Sequence, residues 1–541
     1  MKLIELIIQT VKELGINHIF GVPGDYNLKM LDYIDGSSLE WVGCCNELNA
    51  GYCADGYARI NGYGALLTTH GVGELSAVNA IAGSYAEDIP VIHFVGYPDL
   101  SKIQKNMLLH HTIYDKPWTA FQTAYSNITE YSIVLTEYNY MKELSHSITK
   151  LITTKKPVYI GVPTNILELE TDDKNTKINI NKKSKSSYTD DEFSKIILDK
   201  INNAEKPLFI VGNKIKRFSL KNEMYSILKN TGIPYCTTLI SKTIFDNSEL
   251  NYIGTFVGSL SDENVKKIAN DSDCIVNFAS YPSDFNTGGF TVKNPGLDNI
   301  ITIQPDHIRI GKEYYINFDI EKLFNYLISN LLKRTFIQKK ISSKILQATN
   351  QSFTHNTFWE YVCSNLITSN DIVYAEAGTS LFGILSENIP NGAELITQLI
   401  WASIGYTLPS ALGASFASNN KRTFLFIGDG SIQLTGQEIS SISRYQRNIK
   451  IFIINNNGYT VERVFYEPNK KYHDIPIWDF EKFGNALGIK NSYKISKYSD
   501  FAKYMDIINS SETALFDCKF QTNDIPQFMK KILDTIPIVN N

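Results

Sequence analysis

The chain has 541 residues, about three and a half domains' worth at roughly 150 residues each, which excludes a single small binding module. Hydrophobic residues make up 43%, aromatic residues 12% and charged residues 20%, enough apolar material for several cores and too much for a disordered chain. Lys plus Arg number 52 against 56 Asp plus Glu; the net charge of -4 leaves no positive excess for a phosphate backbone, so nucleic acid is not an expected partner.

Leu3, Ile4, Ile7, Ile8, Val11 and Leu14 recur at helical spacing with Glu5, Lys12 and Glu13 between them, which predicts an amphipathic first helix and not a signal peptide. Short apolar runs at 18–21, 64–69, 91–96 and 158–163 then alternate with helical stretches, the cadence of a parallel sheet covered by helices on both faces. The cadence returns at 206–212, and again at 371–376, 422–428 and 450–455. Polar stretches at about 171–190 and 333–356 are the candidate linkers, so three α/β domains are expected, over 1–180, 190–335 and 350–541, with no short-period repeat. No apolar run approaches the roughly 18 residues of a membrane span. The seven cysteines are odd in number, sit mostly among apolar neighbours and lack C-x-x-C spacing, which fits free buried thiols of a reducing, cytoplasmic compartment.

In open parallel sheets ligands lie beyond the carboxyl ends of the strands, so the residues there are the ones to inspect. Gly428-Asp429-Gly430-Ser431 follows one such strand, and Asn455-Asn456-Asn457-Gly458-Tyr459 ends the next. Glycines let the backbone approach a diphosphate, and a carboxylate and an amide oxygen from neighbouring strand ends can share an octahedral Mg2+ with diphosphate oxygens and water. Gly-Asp-Gly alone is usually a tight turn; paired with the Asn run at this spacing it is specific.

This pair of motifs resembles the thiamine diphosphate fingerprint, and the chain is similar over essentially its whole length to the pyruvate, indolepyruvate and branched-chain 2-oxo acid decarboxylases. The resemblance implies that Asp429 and Asn456 ligate Mg2+ through their side chains and Gly458 through its carbonyl. Gly430, Ser431, Ile432 and Tyr459 would belong to the cofactor's bed, Ser431 and Ile432 through backbone amides. Gly21-Val-Pro-Gly-Asp25-Tyr-Asn and Asn46-Glu47 resemble the family's cofactor-activating domain, where the glutamate hydrogen-bonds the pyrimidine ring and promotes its imino tautomer. Residues 375–383, with Thr379 and Ser380, and 400–406 complete the cofactor's surroundings. Ile404 falls where the family places a bulky residue under the cofactor. Ala402 stands where a glycine is usual, its carbonyl accepting from the aminopyrimidine; that exchange is expected to be tolerable if φ is negative.

The resemblance further implies a polar set of Asp25, His110, His111 and Glu462 that handles protons, with His110 as orienter. Adjacent histidines on a strand or helix point in different directions, so chelation of a metal by both is not expected. The implied reaction is the non-oxidative decarboxylation of 2-oxo acids to aldehydes and CO2 through a thiamine diphosphate ylid and enamine. Because the activating glutamate and the diphosphate motifs fall in different domains and the family builds each site from two chains, a homodimer or dimer of dimers is expected.

For the substrate pocket the family's pattern selects Ala377, Leu381, Phe382, Val461 and Phe465, with Phe290, Ile532 and Ile536. Ala377 and Leu381 suggest an open apolar pocket and hence a preference for branched-chain or aromatic 2-oxo acids, with pyruvate as the alternative. His70 stands where the family usually has an aromatic residue; it reads either as a polar contact for substrate or as an imidazole packed in place of a ring. A carboligase is opposed by the His110-His111 pair, and a catalytically silent thiamine-diphosphate-binding protein by retention of the whole polar set. No cysteine falls between 200 and 230, so hyperbolic kinetics are expected.

Overall fold

A computed structural model of the chain describes residues 1–171, 191–246, 248–249, 251–291, 296, 299–336, 347 and 349–535. Residues 172–190 of the first expected linker and residues 337–346 and 348 of the second lie outside the described residues, as does Ile536. The first helix runs Leu3–Glu13 and buries Leu3, Ile4, Leu6, Ile7 and Val11, the stripe that its periodicity predicts.

Three sheets follow. The first contains β1 (His18–Gly21), β2 (Glu40–Gly43), β3 (Gly64–Thr69), β4 (Val91–Tyr97), β5 (Tyr131–Val134) and β6 (Val158–Pro163), in the order β2-β1-β3-β4-β6-β5 with parallel pairings. The second contains β7 (Pro207–Val211), β8 (Tyr235–Thr237), β9 (Tyr252–Thr255), β10 (Cys274–Phe278), β11 (Ile300–Ile303), β12 (His307–Ile310) and β13 (Glu313–Ile316). Its order is β13-β12-β11-β10-β7-β8-β9, parallel except where β12 and β13 fold back as an antiparallel edge. The third contains β14 (Ile372–Ala375), β15 (Glu394–Ile396), β16 (Thr423–Gly428), β17 (Ile449–Asn455), β18 (Asn491–Ile495) and β19 (Ala514–Lys519), ordered β15-β14-β16-β17-β19-β18 with parallel pairings.

The first and third sheets therefore share one strand order, and both reverse direction between their first and third strands. That switch point opens a crevice at the carboxyl ends of β1 and β3 in one sheet and of β14 and β16 in the other. Strands β3, β4, β6 and β17 are buried along their whole length, which is why they read as continuous apolar runs.

The two sheets are joined by a crossing of helices Glu47–Asn61 and Thr407–Ala417. A methyl group on Gly56 would come 2.0 Å from the Ser410 carbonyl oxygen, and one on Gly413 1.9 Å from that of Cys53, so the backbones touch and only glycine fits. Beside the crossing, Asp55 accepts from Arg59 Nε at 2.7 Å, Ser84 Oγ at 2.8 Å and Tyr406 Oη at 2.5 Å, while Arg59 Nη1 donates to Thr397 O at 3.1 Å. Buried charge is thus paired and hydrogen-bonded across the two domains.

Candidate active site

At the switch point of the third sheet, β14 leads into Glu376-Ala377-Gly378 and the helix Thr379–Ile384, and β16 leads into the helix Asp429–Thr435. Between them lies a cavity of about 670 Å3. Its floor holds Thr379, Ser380, Ala402, Ile404, Asp429, Gly430, Ser431, Asn456, Gly458 and Tyr459, residues drawn by the sequence from four separate segments. Ile432 is fully buried and does not reach the cavity surface with its side chain.

Asp429 accepts from the amides of Gly430 at 2.9 Å and Gly458 at 3.1 Å, and burial pushes its carboxyl up to about 6. Among the described residues no cationic side chain pairs with it. A buried carboxylate beside the Asn456 amide, without a counter-charge, fits a small divalent cation held by oxygen ligands. The Asn456–Tyr459 turn is pinned from behind: Arg463 donates to Asn457 O at 3.0 Å and pairs with Asp474 at 2.7 Å, and Tyr459 N donates to His473 O at 3.0 Å. Gly458, at φ +130°, makes the turn that returns its own amide to Asp429. The Ser380 hydroxyl is buried without a hydrogen-bond partner in the same cavity, a donor awaiting an acceptor. Cation site, unpartnered donor and apolar walls together fit a diphosphate cofactor with its metal.

Ala402 differs from expectation. Its φ is +52°, not negative, so the side chain that replaces the usual glycine sits in the left-handed region. The segment is held there by Glu376, a residue to which sequence reasoning gave no role. Its carboxylate accepts from Gly405 N at 3.1 Å, Thr407 N at 3.3 Å, Thr407 Oγ1 at 2.8 Å and Ala377 N at 3.1 Å, and burial pushes it up to about 7. A carboxylate between two alanines at the end of an apolar strand was the available signal.

The apolar half of the cavity receives Ala377, Leu381, Phe382, Val461, Phe465, Ile532 and, at its exposed mouth, Phe290, with Glu462 beside them. Sequence reasoning missed Val257, Leu260 and Phe285 from the middle domain, Leu399, and Phe528 from the helix Gln527–Thr535. Phe285 stacks on Phe382 with centroids 6.1 Å apart, and Phe382 on Phe528 at 6.1 Å, an aromatic wall built from three segments.

The other polar residues gather at the switch point of the first sheet and do not line this cavity. Asp25 lies in the loop after β1; its carboxylate is hydrogen-bonded to His110 Nε2 and lies 3.6 Å from His111 Nε2. The expectation that the two histidines diverge is corrected: His111 has φ +64°, which turns the chain between them so that both rings meet Asp25. Gly71 packs below, where a methyl group would meet His111 O at 2.0 Å. Glu47 begins the helix Glu47–Asn61, whose N-cap Asn46 accepts from Asn49 N at 2.8 Å; its carboxylate is half-buried beside Gly73.

His70 is also corrected as a pocket residue. It has no exposed surface and lies outside the cavity lining. Its ring is enclosed by Tyr97, Trp118 and Phe121, centroids 4.4, 5.6 and 5.2 Å away, with Nδ1 3.0 Å from Glu74 Oε1. An imidazole so enclosed packs in place of a ring.

Residues 1–116 match the thiamine pyrophosphate enzyme N-terminal TPP binding domain, 195–325 the thiamine pyrophosphate enzyme central domain, and 385–518 the thiamine pyrophosphate enzyme C-terminal TPP binding domain. The chain is similar to pyruvate decarboxylase isozyme 2 of Saccharomyces cerevisiae, 34% identical over 97% of this chain and 96% of the relative. It is 35% identical to pyruvate decarboxylase of Aspergillus fumigatus over 91% of this chain and 88% of the relative. To pyruvate decarboxylase of Kluyveromyces marxianus it is 32% identical over 99% and 96%. With the three sheets, the diphosphate-compatible cavity and these matches in agreement, the chain belongs to the thiamine diphosphate-dependent 2-oxo acid decarboxylases.

Proposed function

We propose that this enzyme decarboxylates pyruvate to acetaldehyde and CO2. The observation that carries the choice of substrate is the near-full-length similarity to pyruvate decarboxylases. It replaces the preference for branched-chain or aromatic acids inferred from Ala377 and Leu381, an inference that left Phe285 and Phe528 out of the pocket. The stacked rings of Phe285, Phe382 and Phe528 line the same cavity, and its 670 Å3 must hold cofactor as well as substrate.

Thiamine diphosphate supplies an electron sink for the carbanion that loss of CO2 leaves. In the proposed arrangement Asp429 and Asn456 would hold Mg2+ by their side chains and Gly458 by its carbonyl, and the amides of Ser431 and Ile432 would hold the diphosphate. Thr379, Ser380, Gly430 and Tyr459 would shape the cofactor's bed, the carbonyl of Ala402 would accept from its aminopyrimidine, and Ile404 would support it. Glu47 would hydrogen-bond the pyrimidine nitrogen. Asp25, His111 and Glu462 move protons to and from the reacting carbon and oxygen, with His110 orienting Asp25; each such group is typically worth roughly 10²- to 10⁴-fold in rate.

Glu47, Asp25 and the histidines lie on one domain and Glu462 with the cavity on another, so the working site is proposed to join the first domain of one copy to the third domain of a second. Exposed apolar side chains beside the histidines, Leu108, Ile113 and Tyr114, and near Glu47, Val72, support such self-association as a dimer or dimer of dimers. The domain limits are proposed at 1–180, 190–335 and 350–541, one sheet in each. Seven free thiols among the described residues favour a cytoplasmic setting, and no described helix is long and apolar enough to cross a membrane.

The test is aldehyde formation by the Mg2+- and thiamine-diphosphate-loaded protein in a coupled alcohol dehydrogenase assay, comparing pyruvate, 2-oxoisovalerate, 2-oxoisocaproate, phenylpyruvate and indolepyruvate. The highest kcat/KM is expected for pyruvate. A larger acid in first place would restore the open-pocket reading, and no aldehyde from any of them would remove the decarboxylase.

A further inference from the structure

The left-handed backbone at His111 brings together more than a proton-handling pair. One ring nitrogen each of His110 and His111 and a carboxylate oxygen of Asp25 lie within 4.8 Å of one another, with side-chain exposures of 60%, 30% and 43%. Two imidazole nitrogens and one carboxylate around an open position are the ligand set of three-residue zinc sites. Magnesium, which prefers oxygen and sheds its waters reluctantly, has no reason to choose it. The surroundings supply the outer support such ligands need. Tyr26 stacks on the His110 ring at 5.0 Å and 12°, and its hydroxyl lies 3.5 Å from Nδ1, so the ring is steadied with Nε2 toward Asp25. Gly71, tight against the His111 carbonyl, fixes the turn itself. Ligands at about 2.0–2.1 Å from a tetrahedral ion stand roughly 3.3 Å apart; His111 Nε2 already lies 3.6 Å from Asp25, so closing the site means opening the contact between His110 and Asp25 and drawing the two imidazoles together.

We propose that Asp25, His110 and His111 form a second divalent-metal site, selective for a transition ion of the Zn2+ class, whose occupation reversibly stops the enzyme. The ion takes the lone pairs that these groups otherwise offer to protons, and leaves the Mg2+ position at Asp429 untouched. Binding of the ion is independent of the proposed reaction; the inhibition rests on the proton-handling role given to these residues above.

The experiment titrates Mg2+- and thiamine-diphosphate-loaded enzyme with zinc chloride in a non-chelating buffer. Bound zinc is followed by equilibrium dialysis and activity is measured in parallel. H111Q and D25N are read for zinc binding alone, after circular dichroism has established that they fold, and C45S controls for the exposed thiol of Cys45. One zinc per chain is expected, bound at least about tenfold more weakly in H111Q and D25N and unchanged in C45S. Activity should fall in proportion to occupancy, return on addition of EDTA, and be unaffected by excess Mg2+. Unchanged zinc affinity in H111Q and D25N, or its loss in C45S, overturns the site. Zinc held by the three residues without loss of turnover overturns the inhibition and, with it, their proton-handling role. An enzyme inactive on every 2-oxo acid before zinc is added would instead indict the proposed reaction, leaving the binding measurement intact.

Discussion

The carboxylate of Glu376 holds Thr407 twice, by the amide at 3.3 Å and the hydroxyl at 2.8 Å, and so ties the end of β14 to the segment that carries Ala402 and Ile404. Removing it in E376A leaves buried amides of Gly405, Thr407 and Ala377 without an acceptor, at about 1–3 kcal/mol each. E376A is expected to unfold at clearly lower denaturant and to bind thiamine diphosphate weakly. E376Q keeps one oxygen for the loop and should lose only about 1 kcal/mol. The two also differ in pH response. Because burial raises Glu376 from 4.5 to about 7, the fold keeps a proton that the unfolded chain has released. Its contribution to stability is therefore fully present below pH 4.5 and lost as pH rises to about 7. Denaturant midpoints between pH 5 and 8 should fall more steeply in wild type than in E376Q; parallel curves would show that Glu376 titrates normally.

As the proposed ligand of Mg2+, Asp429 is expected to make metal binding dependent on pH. Burial raises its carboxyl from 3.8 to about 6, and the metal requires the ionised form. Calorimetric affinity for Mg2+ in the presence of thiamine diphosphate is expected to fall about tenfold per unit as pH drops below 6, and to level off above it. D429N should abolish the pH dependence together with most of the affinity. A Mg2+ affinity that is flat between pH 5 and 7 would place the metal on other ligands.

Ala402, at φ +52°, carries a side chain where glycine would be unstrained. A402G is expected to stabilise the enzyme by up to about 1 kcal/mol, the relief of strain being partly offset by the greater freedom of glycine in the unfolded chain. Urea midpoints with an unchanged slope would register the gain. A loss of stability would mean that the Ala402 methyl makes packing contacts worth more than the strain.

What the sequence made legible follows from distance along the chain and from backbone conformation. Strands buried on both faces, such as Gly64–Thr69 and Ile449–Asn455, are continuous apolar runs, and the Asp429 and Asn456 motifs sit directly at strand ends, so local pattern sufficed for both. The edge strands Glu40–Gly43 and Tyr131–Val134 mix polar and apolar residues because they are only partly covered, and no run marks them. The positive φ of His111 and of Ala402 is imposed by what packs around them, Gly71 in one case and the Glu376-anchored loop in the other, and neither residue type announces it. Phe285 and Phe528 meet Phe382 across 97 and 146 residues of chain, contacts that exist only once three segments have folded together.

That aromatic wall gives the most direct handle on substrate choice. Phe528 is nearly buried, stacks on Phe382 and faces the cavity from the C-terminal helix. Truncation in F528A removes one ring from the cavity lining and leaves in place the residues proposed to hold cofactor or move protons. Each methylene that a hydrophobic pocket newly accommodates is worth about 1–3 kcal/mol, or roughly 10- to 200-fold in kcat/KM. F528A should therefore raise the ratio of kcat/KM for 2-oxoisocaproate over pyruvate by at least about tenfold, with pyruvate turnover changed little. F285A, which removes the next ring of the stack, should shift the ratio the same way. If neither variant moves it, the limit on substrate size is set elsewhere in the cavity, at Leu381 or Val461, and the wall serves packing alone.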